Sequence, residues 1–325
     1  MLPNQKIKTG VIGVGIMGQN HARVYNEISD LVAVSDPNEN QGKKVAERFG
    51  VTWYRDYRDM LSSVEAVTIA VPTLLHREIA ENVAAAGIHL LVEKPLAGTV
   101  LDAQAIISSA KEANVVLAVG HIERHNPVVK FVKDAFEKGI WGDIVTMSTR
   151  RVSRYPSRVR DIGVIYDLAI HDLDIMRYLA NSEVKKIYSL GGSMESLENK
   201  IDHASIILQF QNNILGYSES SWLTPMKIRE LTLTFNKAYV VANYMSQEIE
   251  VYHSDITAES VDLYKINQNV NFQKISVEKK EPLKLELLNF INSIEGRDNI
   301  LVTGNDGLEV VKLAQSVMEE LEDNQ

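Results

Sequence analysis

Along the first third of the chain, short runs of apolar residues alternate with stretches whose apolar residues recur at helical spacing. The runs fall at 7–12, 31–35, 51–54, 66–71, 88–92 and 115–119, with helical patterns such as 39–49, 74–86 and 100–113 between them. Strands that are apolar throughout, rather than at alternate positions, belong to a parallel sheet covered on both faces. Six of them predict a complete doubly wound α/β domain over residues 1–121.

Beyond residue 121 the pattern changes. A helix is expected from the N-cap residue Asn126 to Lys138, stopped by Gly139, and another over 169–180. Strand-like segments follow at 183–192, 201–211, 213–222, 229–235, 238–243 and 248–253, with Asn212-Asn213 as a hairpin turn. Short connections between neighbouring strands predict antiparallel pairing. Helical patterns at 282–294 and 305–322 complete a second, α+β domain spanning 122–325.

The length of 325 residues and a 45% hydrophobic content agree with two substantial cores. The chain has no cysteine, which excludes disulfides, thiolate catalysis and cysteine-bound metal centres. The first residues carry no signal-peptide pattern and no apolar run approaches ~18 residues, so a cytoplasmic protein without a membrane span is expected. The net charge of -9 argues against general nucleic-acid affinity.

Specific chemistry begins at the end of the first run, with Gly13-Val14-Gly15-Ile16-Met17-Gly18 opening a helix-like stretch. The second run ends on Asp36. This is the strand, glycine loop, helix, strand, acid order of a dinucleotide-binding unit. Gly13 permits the tight turn, Gly15 the approach of a pyrophosphate, and Gly18 the close packing of helix on strand. The amides of the loop, Ile16 and Met17 included, and the positive end of the helix meet the pyrophosphate. Asp36 suits a ribose 2′-hydroxyl and repels a 2′-phosphate, and neither Pro37 nor Asn38 supplies positive charge, so NAD is expected rather than NADP.

Three further clusters stand at or after the carboxyl edge of the parallel strands, where such sheets bind ligands. Lys94, between a strand end and Pro95, is restrained to a defined extended pose, and is read either as functional or as a surface lysine before a loop. Asp167 and His171 are four residues apart, so they share a helix face. A histidine there can serve as general base with the carboxylate orienting it, or the pair can be a helix cap and a satisfied polar residue. Asp172 and Asp174 are assigned to the helix N-terminus or solvent. Five arginines (Arg150, Arg151, Arg154, Arg158, Arg160) crowd one segment, expected as a loop near the reaction centre. Their planar forks suit an anionic substrate such as a sugar phosphate or nucleotide sugar; pairing with surface acids or a subunit contact is the other reading. The histidines show no zinc-like spacing, so no metal is expected.

Taken in order, these motifs resemble the glucose–fructose oxidoreductase/inositol dehydrogenase (Gfo/Idh/MocA) family over essentially the whole chain. The carriers are Gly13-x-Gly15-x-x-Gly18, Val71-Pro72-Thr73-x-x-His76, Glu93-Lys94-Pro95, Gly120…Arg124…Pro127 and Asp167-x-x-x-His171. The resemblance implies an NAD-binding Rossmann domain and a second domain with an open, mostly antiparallel sheet, whose exposed face commonly makes a homodimer or homotetramer. It implies that Lys94 contacts substrate and nicotinamide, and that Asp167 and His171 lie beside the substrate hydroxyl. It also implies that Pro72, Thr73, His76 and Glu93 border the cofactor, and that a cis peptide bond precedes Pro95. The lead-in Ile162-Gly163-Val164-Ile165 is less glycine-rich than usual, and His121-Ile122 replaces the frequent phenylalanine–asparagine pair. The segments 120–127 and 158–171 instead resemble the branch of UDP-N-acetylglucosamine 3-dehydrogenases, for which Arg124, Arg154, Arg158 and His171 would bind substrate. The expected activity is oxidation of the C3 hydroxyl of a nucleotide sugar, with either His171 or Lys94 taking the proton. A dehydrogenase of a free sugar or inositol, and a non-catalytic NAD-binding regulator, are the other readings.

Overall fold

The computed structural model describes residues 6–155, 163–194, 200–254 and 270–323. The chain forms two compact units, Met1–His125 with Glu281–Lys312, and Asn126–Lys280 with Leu313–Gln325. The expected split into 1–121 and 122–325 gives way to a chain that returns: residues 281–312 rejoin the first unit. The reason is apolar. Leu283, Leu287, Phe290 and Ile291 bury their side chains among Val11, Tyr25, Val34 and Leu91.

In the first unit, β1 (Lys8–Ile12), α1 (Ile16–Ile28), β2 (Asp30–Ser35), α2 (Glu39–Phe49), β3 (Thr52–Tyr54), β4 (Ala66–Ile69), α3 (His76–Ala85), β5 (His89–Glu93), α4 (Val100–Glu112) and β6 (Leu117–Gly120) follow in turn. The six strands pair in parallel in the order β3-β2-β1-β4-β5-β6. All four residues of β4 are buried, as a central strand covered on both faces requires. Local chemistry sets the helix limits: Asn38 caps α2 by accepting from the Gln41 amide, Gly50 ends it at φ 69°, and Thr99 caps α4. The order reverses between β1 and β4, and the carboxyl ends of β1, β2, β4 and β5 carry the expected cofactor residues.

The second unit opens with α5 (Pro127–Glu137), capped by the Asn126 side chain on the Val128 amide with proline in the first turn. Then come β7 (Ile144–Arg154), α6 (Ile170–Ala180), β8 (Val184–Gly192), β9 (His203–Phe210), β10 (Leu215–Ser221), β11 (Leu223–Phe235), β12 (Tyr239–Asn243), β13 (Glu248–Ser254) and β14 (Val270–Ser276). Of the last two helices, α7 (Pro282–Ile294) lies in the returning segment, and α8 (Gly304–Asp323) begins in the first unit and ends in the second. The sheet runs β14-β13-β12-β11-β7-β10-β9-β8 and is antiparallel except where β7 and β10 pair in parallel. Asn213 adopts φ 66° in the turn between β9 and β10. Burial alternates along the strands, and the inward residues, such as Met147, Leu208 and Leu233, share one core with α5, α6 and the end of α8. Among the described residues the opposite face is exposed, with Tyr188, Ile207 and Tyr217 on it.

Candidate active site

The glycine loop fits a pyrophosphate. Gly13 has φ 83°, and a side chain there would meet the Ala70 carbonyl oxygen at 2.5 Å. A Cβ on Gly18 would stand 1.9 Å from the Gly13 carbonyl oxygen, so only glycine lets α1 lie this close to the loop. Gly15 is the N-cap of α1 with no side-chain cap, and a Cβ built on it would meet nothing within 4 Å. The first-turn amides are thus presented to open space with no competing acid. At the end of β2, Asp36 receives the Val14 amide at 3.0 Å and the Asn38 amide at 2.9 Å, one on each oxygen. Each oxygen keeps a lone pair for a ribose hydroxyl. Ile16 is exposed and Met17 half-buried beside them. These residues suit NAD.

Lys94 is held from several sides. The Lys94–Pro95 peptide bond is cis. Glu93 Oε2 accepts from the Lys94 amide at 3.1 Å, and Glu93 Oε1 lies 2.8 Å from His21 Nε2 of α1. His76 Nδ1 lies 3.0 Å from the Pro95 carbonyl and Nε2 3.0 Å from the Val71 carbonyl. Both partners only accept, so a neutral ring donates to one at a time. Burial nevertheless dominates and holds the His76 pKa below the ordinary histidine range, against the pull of the three carbonyls of Val71, Leu96 and Pro95. His76 therefore straps the segment after β4 to the segment after β5. Its ring is 1% exposed with both nitrogens on carbonyls, so it shapes the loop from within. The Glu93 carboxylate also turns inward, while half-buried Lys94, exposed Pro72 and half-buried Thr73 stay at the surface of the strand ends.

In the second unit, Asp167 lies in a π-helical turn, Ile165–Ala169, that runs directly into α6. The Ile170 amide reaches back to the Ile165 carbonyl, five residues away. Asp167 and His171 are both half-buried. Such turns are rare and concentrate at functional sites. Asp172 and Asp174, expected to serve a helix end or solvent, are both 1% exposed. Asp172 accepts from Arg151 Nε at 2.9 Å, and the Arg151 guanidinium carbon lies 5.2 Å from the Tyr244 ring.

This pair also corrects the picture of the arginine segment. Residues 150–154 are strand, not loop, and alternation sends the arginines to opposite faces. Arg151 is buried against Asp172, Arg150 is on the open face paired with Glu219 at 2.9 Å, and Arg154 is exposed at the strand end. Arg158 and Arg160 lie outside the described residues. Arg124 is likewise spoken for within the first unit: it is 3% exposed, bonded to Asp306 at 3.0 Å and to the Leu301 carbonyl at 3.4 Å. A guanidinium so placed anchors the returning segment. His21 escapes the sequence reading because it is one of eight histidines. The available signal is its place on the buried face of α1 with Ala22, Val24 and Tyr25, where a polar side chain needs a partner.

Among known proteins, residues 7–121 match the oxidoreductase family with NAD-binding Rossmann fold, and residues 129–252 match the GFO/IDH/MocA C-terminal domain. The UDP-N-acetylglucosamine 3-dehydrogenase of Acidithiobacillus ferrooxidans is 28% identical over 312 residues, 96% of each chain. A crystal form of that enzyme superposes with a TM-score of 0.88 at 27% identity, covering 98% of both chains. The myo-inositol 2-dehydrogenase of Thermotoga maritima is 30% identical over 228 residues, 66% of this chain and 68% of its own. Matched in both halves and end to end, the chain belongs to the Gfo/Idh/MocA family of oxidoreductases, with NAD as its cofactor.

Proposed function

We propose that the protein, an NAD-dependent dehydrogenase of sugar or polyol hydroxyls, oxidises the C3 hydroxyl of a UDP-N-acetyl hexosamine to a ketone. The observation that carries the substrate is coverage. Similarity to the UDP-N-acetylglucosamine enzyme spans 96% of each chain, whereas similarity to the myo-inositol enzyme spans 66% and 68%.

Oxidation removes a hydride from the carbinol carbon and a proton from its oxygen. NAD, when bound, supplies the hydride acceptor. His171 accepts the hydroxyl proton as general base, worth about 10²-fold or more. The Lys94 ammonium donates to the same oxygen as charge develops on it. Asp167 orients the His171 ring or a sugar hydroxyl. Gly13, Gly15, Ile16, Met17, Gly18 and Asp36 hold the dinucleotide, with Pro72 and Thr73 along its border. Arg154 and Arg158 bind the diphosphate, and the open face of the second sheet joins copies of the chain into a homo-oligomer.

Incubation with NAD and UDP-N-acetylglucosamine should produce reduced cofactor, followed by its absorbance. H171N and K94M should each lose about 10²-fold or more in kcat. R154A should raise the KM for the nucleotide sugar about tenfold, as expected on losing one charge-assisted bond. Turnover of myo-inositol or a free hexose, with none of the nucleotide sugar, would overturn the substrate assignment.

A further inference from the structure

Behind the glycine loop stand two glutamines. Gln41, in the first turn of α2, donates through Nε2 to the Val14 carbonyl at 2.7 Å. Gln19, near the start of α1, donates through Nε2 to the same oxygen at 3.1 Å. A carbonyl only accepts, so both side-chain amides turn their nitrogens to it. Both glutamines are half-buried and Val14 is fully buried.

The bond from Gln41 closes a circuit. The Val14 amide donates to Asp36 Oδ2 at 3.0 Å, the Asn38 amide to Asp36 Oδ1 at 2.9 Å, and the Gln41 amide to Asn38 Oδ1 at 3.2 Å. The Gln41 side chain then returns to Val14. Val14 is thereby fixed on both sides, its N–H on the acid that suits the ribose and its C=O on two helices. Gln19 enters from outside the circuit, its own amide bonded to the Gly15 carbonyl at 3.0 Å.

The peptide between Val14 and Gly15 needs such a hold. In a trans peptide the C=O and N–H point opposite ways, so a carbonyl kept on the two glutamines sends the Gly15 N–H away from them. Gly15 sits at φ -62°, yet glycine takes positive φ about as readily. Turning this peptide over would make that φ positive and reverse the N–H. No side chain on Gly15 selects between the two, and a Cβ built there would meet nothing within 4 Å. The residue that lets a pyrophosphate approach is also the one that leaves the peptide free to flip.

We infer that Gln19 and Gln41 are positioning residues for the cofactor. By holding the Val14 carbonyl they aim the Gly15 amide at the pyrophosphate, and Gln41 ties that aim to the Asp36 carboxylate. The inference rests on the reading of the glycine loop as the cradle of the pyrophosphate.

The test is calorimetric titration of NAD into full-length chains carrying Q19M, Q41M or both, methionine keeping the length of the side chain without its donor. Each single variant leaves one amide on the carbonyl and should weaken binding about twofold. The double variant should weaken it about tenfold or more, beyond the product of the two. Asp36 keeps both of its amide donors in these variants. Adenosine, which offers ribose hydroxyls and no phosphate, should therefore bind wild type and double variant alike in ligand-observed NMR titrations, whereas a collapsed loop would lose both ligands. Q41E sets an acceptor against the carbonyl and should lose about tenfold for NAD. N40D, with the same charge on the neighbouring exposed position, should lose less than about twofold. Losses in the double variant that merely multiply, equal losses for NAD and adenosine, or a Q41E chain no weaker than N40D overturn the inference. A wild-type chain that binds NAD no more tightly than adenosine would overturn the reading of the loop itself, and the inference with it.

Discussion

Two buried side chains near the proposed chemistry carry predictions of their own. Arg151 and Asp172 are each 1% exposed and paired at 2.9 Å, and Asp172 adjoins His171 in the chain. Removing one partner of such a pair leaves a buried uncompensated charge, so R151M should cost about 3–5 kcal/mol in chemical denaturation. Replacing both, as R151M/D172L, should recover most of that stability. If the pair serves to aim α6, the double variant should fold and still turn over substrate poorly; full activity would mean that the pair only fills the core. His76 supplies a pH dependence. Its folded pKa lies below the ordinary histidine value, so between the two the unfolded chain binds the proton and the folded chain does not. Stability is therefore complete above about pH 6.5 and falls as pH drops, by up to about 1.4 kcal/mol per unit until the folded value is passed. In H76N this slope should disappear from urea titrations above the carboxylate range.

Elements differ in how much of them the sequence announces. The six parallel strands and the glycine turn are legible because burial on both faces leaves continuous apolar runs, and because Gly13 and Gly18 answer to backbone contacts no other residue tolerates. The turn predicts its own disruption. G18A pushes a methyl group into the Gly13 carbonyl, forces α1 off the loop, and should weaken NAD binding more than tenfold by calorimetry. G50A, at φ 69° but in open space, should cost about 1 kcal/mol in stability and leave NAD binding intact. Other features are not legible. Nothing in Ile165–Ala169 distinguishes a π turn from an α turn by composition, since the difference is one residue in hydrogen-bond register. The arginine segment reads as a loop because charged residues every few positions mask the two-residue period of β7. Only the alternation of Met147, Thr149 and Arg151 inward against Ser148 and Arg150 outward reveals it. The return of α7 to the first unit is a long-range packing choice, and its amphipathic pattern fits either core.

At the scale of the molecule, the eight-stranded sheet raises the question of what covers its second face. Register aligns Tyr188, Ile207 and Tyr217 across β8, β9 and β10, all exposed. On the far strands Tyr239, Tyr252 and Phe272 pack as tilted rings with centroids 6.1 and 5.2 Å apart. Between these apolar patches Arg150 stands in one row with Glu219 and Glu230. An exposed apolar surface divided by an acid–arginine–acid row is costly to leave in water and suits a copy of itself, because an isologous contact can set the arginine of each copy against an acid of the other. Light scattering after size exclusion should therefore give a multiple of 36.4 kDa. The double variant I207D/Y217D places carboxylates on two exposed residues of that face, so it should shift the mass to that of one chain. NAD affinity should be retained, since every residue proposed to hold the dinucleotide belongs to the first unit. A wild-type mass of 36.4 kDa at micromolar concentration would show instead that the sheet face is solvated as it stands.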